Sequence, residues 1–189
     1  MQEITTLQYQ RIHKPKIGDV ILHCVAAEQQ KTVLEFVAWF RENKMNPGWS
    51  GVHNAWDAKC KGGVICKISL RNPGWALTGD NERSKNYTWV IKLYLNHRST
   101  YEEAIINEDL QNIIWDGMYE CTACLGGKKP CFGGRDYTVY GKKFKGVCPH
   151  SFYREIFDPD ETTLNGVKRL LELEKQARND VINIKTKRT

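Results

Sequence analysis

YTWVIKLYL, from Tyr87 to Leu95, decides the fold. Trp89, Ile91, Leu93 and Leu95 alternate with Thr88, Val90, Lys92 and Tyr94, so one face of an extended chain is apolar and the other partly wet. VICKISLR, Val64 to Arg71, repeats the pattern, with Val64, Cys66, Ile68 and Leu70 on one face. Two such strands form an antiparallel sheet covered on one side. DVILHCV, Asp19 to Val25, reads as a third strand. YTVYGKKFKGV, Tyr137 to Val147, reads as a hairpin turning near Gly141.

Three helices complete the pattern. From Gln29 to about Asn43, Val33, Phe36, Val37 and Phe40 recur at helical spacing. A second helix starts at Ser99 with a capping box to Glu102, carries Ile106, Leu110 and Ile113 toward Trp115, and breaks near Asn107. A third follows DPDE, capped by Asp158 or Asp160, with Leu164, Val167, Leu170, Leu171 and Ala177 facing inward. The class is α+β, an antiparallel sheet packed against helices. Residues 1–118 form its main part. Residues 119–189 add a cysteine-rich loop, a hairpin and a C-terminal helix packed on it as one compact unit. NPGW occurs at Asn46–Trp49 and at Asn72–Trp75, two Pro-Gly turns bordering the strand at Val64.

The chain has 189 residues, 41% of them hydrophobic, and a net charge of +6, enough to bury a core without disulfide staples. It has neither a run of apolar residues long enough to span a membrane nor an apolar signal segment, so the expected location is the cytosol, where thiols stay reduced. The seven cysteines then favour metal or burial over disulfides.

Four of them gather around a short basic loop. Cys121 and Cys124 form a CxxC pair, the usual first half of a zinc site; Cys131 and Cys148 supply the other ligands, with His150 as a substitute. A hairpin returns Cys148 toward Cys131. Four thiolates close the coordination sphere, so the expected zinc is structural. An iron–sulfur cluster, a redox pair and metal-free thiols are the alternatives. Cys24, Cys60 and Cys66 read as core residues.

No catalytic signature is present: no GxSxG, HExxH, phosphate-binding loop or GxGxxG, and the five histidines are scattered. The expected function is therefore non-catalytic binding or regulation. Trp49, Trp56, Trp75 and Trp89 are candidate walls for an unidentified small molecule, with Asp57, Asp80 and Glu82 as acidic partners. A nucleic-acid interface is the alternative. Lys128, Lys129, Arg135, Lys142, Lys143 and Lys145 interleave with Phe132, Tyr137, Tyr140 and Phe144 and would meet phosphates and bases. A thiol enzyme or redox protein using Cys131 or Cys148 is a third reading.

The stretches IIWDGMYECTAC and YTVYGKKFKGVC resemble a group of small bacterial proteins, mostly from clostridial relatives. Those share a Trp-Asp before paired cysteines, a GKxFxxVC strand and a final helix. The matching positions are Trp115, Asp116, Cys121, Cys124, Cys131, Gly141, Lys142, Phe144, Val147 and Cys148. The resemblance groups the four cysteines as one unit and implies no activity.

Overall fold

The computed structural model describes residues 3–71, 87–118, 134–147 and 154–186. Three helices open the chain: α1 (Leu7–His13), α2 (Ile17–Cys24) and α3 (Ala27–Glu42). Thr6 caps α1 by accepting the Tyr9 N–H at 3.2 Å. α3 ends in a Schellman motif: Lys44 takes φ 59°, and the Met45 N–H reaches Phe40 O at 2.8 Å.

α2 corrects the strand expected at Asp19–Val25. Ile17, Val20, Ile21 and Cys24 are buried at i, i+3, i+4 and i+7, while Leu22 is 55% exposed. A window starting at Asp19 misses Ile17, and with it the helical period. Packing of α2 on α3 then outweighs the strand propensity of Val and Ile.

The sheet runs β1 (Gly48–Trp49), β2 (Ala55–Cys60), β3 (Gly63–Leu70), β4 (Trp89–Leu93) and β7 (Arg154–Phe157), in that spatial order and all antiparallel. Lys61 and Gly62, both at positive φ, make the two-residue turn between β2 and β3. Trp56, Ile68, Ile91 and Ile156 are direct cross-strand partners and so share one face. That face packs with Val20, Phe36, Phe40, Val167 and Leu170 into one core. The other face carries a transverse charged row in which Lys67 meets Asp57 at 3.3 Å and Lys92 meets Glu155 at 3.2 Å.

The second predicted helix forms as two short pieces, α4 (Glu102–Asn107) and α5 (Gln111–Asp116), with the break where the sequence placed it. Asp109, at φ 54°, resets the helical phase, so Ile105, Leu110 and Ile114 are buried while Ile106 is 46% exposed. The capping box from Ser99 does not form. Tyr101 stands at the start of α4, and no side chain caps it. Instead His97 and Tyr101 are drawn onto Glu174.

Between these helices and β7 lies the hairpin β5 (Arg135–Val139) and β6 (Lys142–Val147), turning on Tyr140–Gly141 as expected. The long helix α6 (Glu161–Thr186) closes the chain. Asp160 is its cap, accepting the Thr163 N–H at 2.8 Å. Gly166 lets α6 press against α5, for a Cβ there would collide with Ile113 Cδ1.

Candidate functional site

A cleft of about 820 Å³ opens where α5, β7 and the start of α6 meet. Leu110, Ile113, Ile156 and Phe157 give it an apolar floor. Glu108, Asp109, Asp116, Glu155, Asp158 and Asp160 rim it with carboxylates, and no lysine, arginine or histidine lines it among the described residues. Local folding brings these acids together. Glu108 and Asp109 sit in the break between α4 and α5, Glu155 on β7, and Asp158 and Asp160 in the turn into α6.

Several of the acids already hold the fold. Asp158 Oδ1 accepts the Trp89 N–H at 3.0 Å and the Thr88 hydroxyl at 2.9 Å, and both of its oxygens take the Thr88 N–H at 3.0 Å. Glu108 takes a two-pronged contact from Arg169 at 2.7 Å on each oxygen, which holds its carboxyl below the usual range. Bonds from Thr163 likewise lower Asp160. Glu108 and Asp160 therefore carry negative charge at neutral pH. Arg169 pairs with Glu108, and Lys92 with Glu155.

One long edge of the cleft is backbone. Among the described residues β7 pairs only with β4. The Asp158 N–H donates to Trp89 O at 3.1 Å, marking that pair as hydrogen-bonded. Such pairs alternate along an antiparallel ladder, so Ile91–Ile156 is the next. Glu155 and Phe157 therefore turn their N–H and C=O groups outward, away from β4.

A second polar constellation is buried. Glu174, fully buried on α6, accepts from His97 N at 3.0 Å, Tyr101 Oη at 2.8 Å and Arg178 Nε at 2.8 Å, and meets His97 Nδ1 at 2.9 Å. Burial alone would raise its pKa, but these partners win and hold it low. Arg178 also donates to Cys60 O, Val64 O and Tyr94 O. The network locks α6 to the ends of β2, β3 and β4.

The tryptophans expected to line a pocket divide. Trp56 and Trp89 are 0% and 1% exposed and belong to the core, a correction with a simple cause. Each is on the inner face of its strand, and Trp56 Nε1 finds Pro15 O at 2.9 Å. Trp49 is half-buried against the core, its Nε1 without an acceptor among the described residues. Trp75, Asp80 and Glu82 lie outside the described residues, and Asp57 is engaged with Lys67.

The hairpin divides the basic groups between its two faces. Tyr137 pairs with Phe144, and Val139 with Lys142, on one half-buried face. There Lys142 Nζ stands 5.1 Å from the Trp115 ring centre and 5.5 Å from that of Phe144. Trp115 Nε1 donates to Val139 O at 2.8 Å, seating the hairpin on α5. Lys143 and Lys145 point to the opposite, exposed side, and Arg135 is exposed at the far end of β5. Lys128 and Lys129 lie outside the described residues.

So do Cys121, Cys124, Cys131, Cys148 and His150. The other three cysteines are buried free thiols. Burial pushes Cys24 up to about 11, and burial together with the Asp57 charge raises Cys66 well above its ordinary value. Among the described residues no group of three or more His, Cys, Asp or Glu is arranged to hold a metal. No described helix is long and apolar enough to cross a membrane.

Comparison with protein-family models, curated proteins and solved structures gave no match. The cleft acids escape sequence reading because they come from two stretches, 108–116 and 155–160, far apart in the chain. The DPDE segment showed only as a helix start, and Glu174 lies 77 residues from His97.

Proposed function

We propose that this is a non-catalytic binding or regulatory protein of the cytosol whose acidic cleft takes a positively charged ligand. The observation that carries the reading is the lining itself. Six carboxylates and no described cation border a cleft of about 820 Å³ in a chain of net charge +6. Such a cleft concentrates cations and repels phosphates and nucleic acid. Cys24 and Cys66 support the non-catalytic part, since buried thiols with raised pKa are poor nucleophiles.

A structural zinc held by Cys121, Cys124, Cys131 and Cys148 belongs to the same proposal. Its support is the CxxC spacing and the hairpin register. Arg135 pairs with Val147, so the chain enters and leaves the hairpin side by side, and Cys148 follows Val147 directly. A closed four-thiolate zinc would fix the chain there and supply no chemistry.

Calorimetric titration with spermine tests the ligand class. Binding that weakens with added salt and with Asp109→Asn supports it. Asparagine suits the positive φ of that position, so the variant changes charge and leaves the backbone alone. Absence of binding at low salt overturns it.

A further inference from the structure

We propose that the outer edge of β7 is a docking strand for an extended, lysine- or arginine-rich segment of a partner protein, which joins the sheet beside it. The inference rests on the acidic-cleft reading and narrows its ligand to a peptide.

Two independent features converge on β7. The first is backbone: Glu155 and Phe157 present N–H and C=O groups on the side away from β4, where no other strand pairs with them among the described residues, and both residues line the cleft. An added strand satisfies such groups with the pairing that already holds the sheet. The second is charge. Asp116 flanks the edge from α5, Glu108 and Asp109 from the break before it, and Asp160 from the start of α6, so a segment laid along β7 passes between carboxylates. Leu110 and Ile113 offer apolar contact for side chains on the inner face of the added strand.

A second copy of this chain fits the same edge poorly. Pairing β7 with β7 would bring two acidic clefts together, and like charges at that spacing repel. A strand with alternating lysine and apolar residues meets both the edge and its rim.

The test uses a dye-labelled nine-residue peptide of alternating lysine and valine, followed by fluorescence anisotropy on the full chain. A second peptide has its central backbone nitrogens methylated, which keeps the charge and removes the donors of both strand edges. The expected result is binding of the first and about tenfold weaker binding of the second, the effect of losing two backbone hydrogen bonds. Asp109→Asn should weaken the first severalfold, and a glutamate–valine peptide should not bind. Equal binding of the methylated peptide overturns strand addition and leaves the cationic cleft standing. If neither peptide nor spermine binds, both readings fall. A dimer in sedimentation that the peptide does not dissociate also overturns the proposal, by giving the edge to a second copy.

Discussion

Arg178 reaches Glu174 across one turn of α6, Nε to Oε1 at 2.8 Å, with both side chains buried beneath the ends of three strands. The pair is held on every side, since Glu174 also takes His97 and Tyr101, and Arg178 also reaches three carbonyls. Removing one partner strands the other without water.

Glu174→Ala should therefore cost about 3–5 kcal/mol in urea unfolding, the usual penalty for an uncompensated buried charge. The pH dependence has a definite sign. Glu174 has a lowered folded pKa, so its contribution is complete above the unfolded carboxylate value of about 4.3 and fades as pH falls below it through the folded value. Glu174→Gln should flatten the acid limb of the stability curve.

Gly63 is the second half of the same lock. A Cβ there would stand 2.6 Å from Arg178 Nη1, so Gly63→Ala must displace the guanidinium from its carbonyls. A loss of about 1–3 kcal/mol is expected, and it should shrink in a Glu174→Ala background where the lock is already broken. Full additivity of the two substitutions would refute the coupling.

Asp158 ties the start of β4 to the end of β7. Asp158→Ala deletes the acceptor for Thr88 N, Thr88 Oγ1 and Trp89 N and leaves alanine at φ 38°, with an expected cost of about 2–3 kcal/mol. Asp158→Gly removes the same bonds and relieves the backbone, so it should lose less. Thermal melts of the two variants separate the terms.

The cysteines should divide by reactivity. With Cys24 at about 11, roughly one thiol in a thousand is ionised at pH 8, so Cys24 and Cys66 should resist iodoacetamide until the chain unfolds. Mass spectrometry of the native protein should find about one zinc per chain, lost in Cys121→Ser and Cys148→Ser. Absence of metal with all seven thiols free would remove the zinc from the proposal.

Much of the sheet is legible in the sequence because β3 and β4 carry apolar residues close to alternation, broken at Ile65, where the register against β2 shifts. β2 is not, since AWDAKC holds Ala, Asp and Lys, and the burial of Trp56 comes from its neighbours. α2 misleads because a short apolar run fits either period until Ile17 is included. The hairpin turn is legible in Tyr140–Gly141, and the matching turn at Lys61–Gly62 carries the same X-Gly signal. Side-chain composition alone hides the cleft. Its acids converge only after β7 pairs with β4 and α6 packs on α5 through Gly166.

The most direct measurement is an amide NMR titration with spermine. Shifts confined to Glu108–Asp116 and Glu155–Thr163 are the predicted result, fading at high salt. Shifts centred on Lys142–Lys145, or none at all, would contradict a cationic ligand in the acidic cleft.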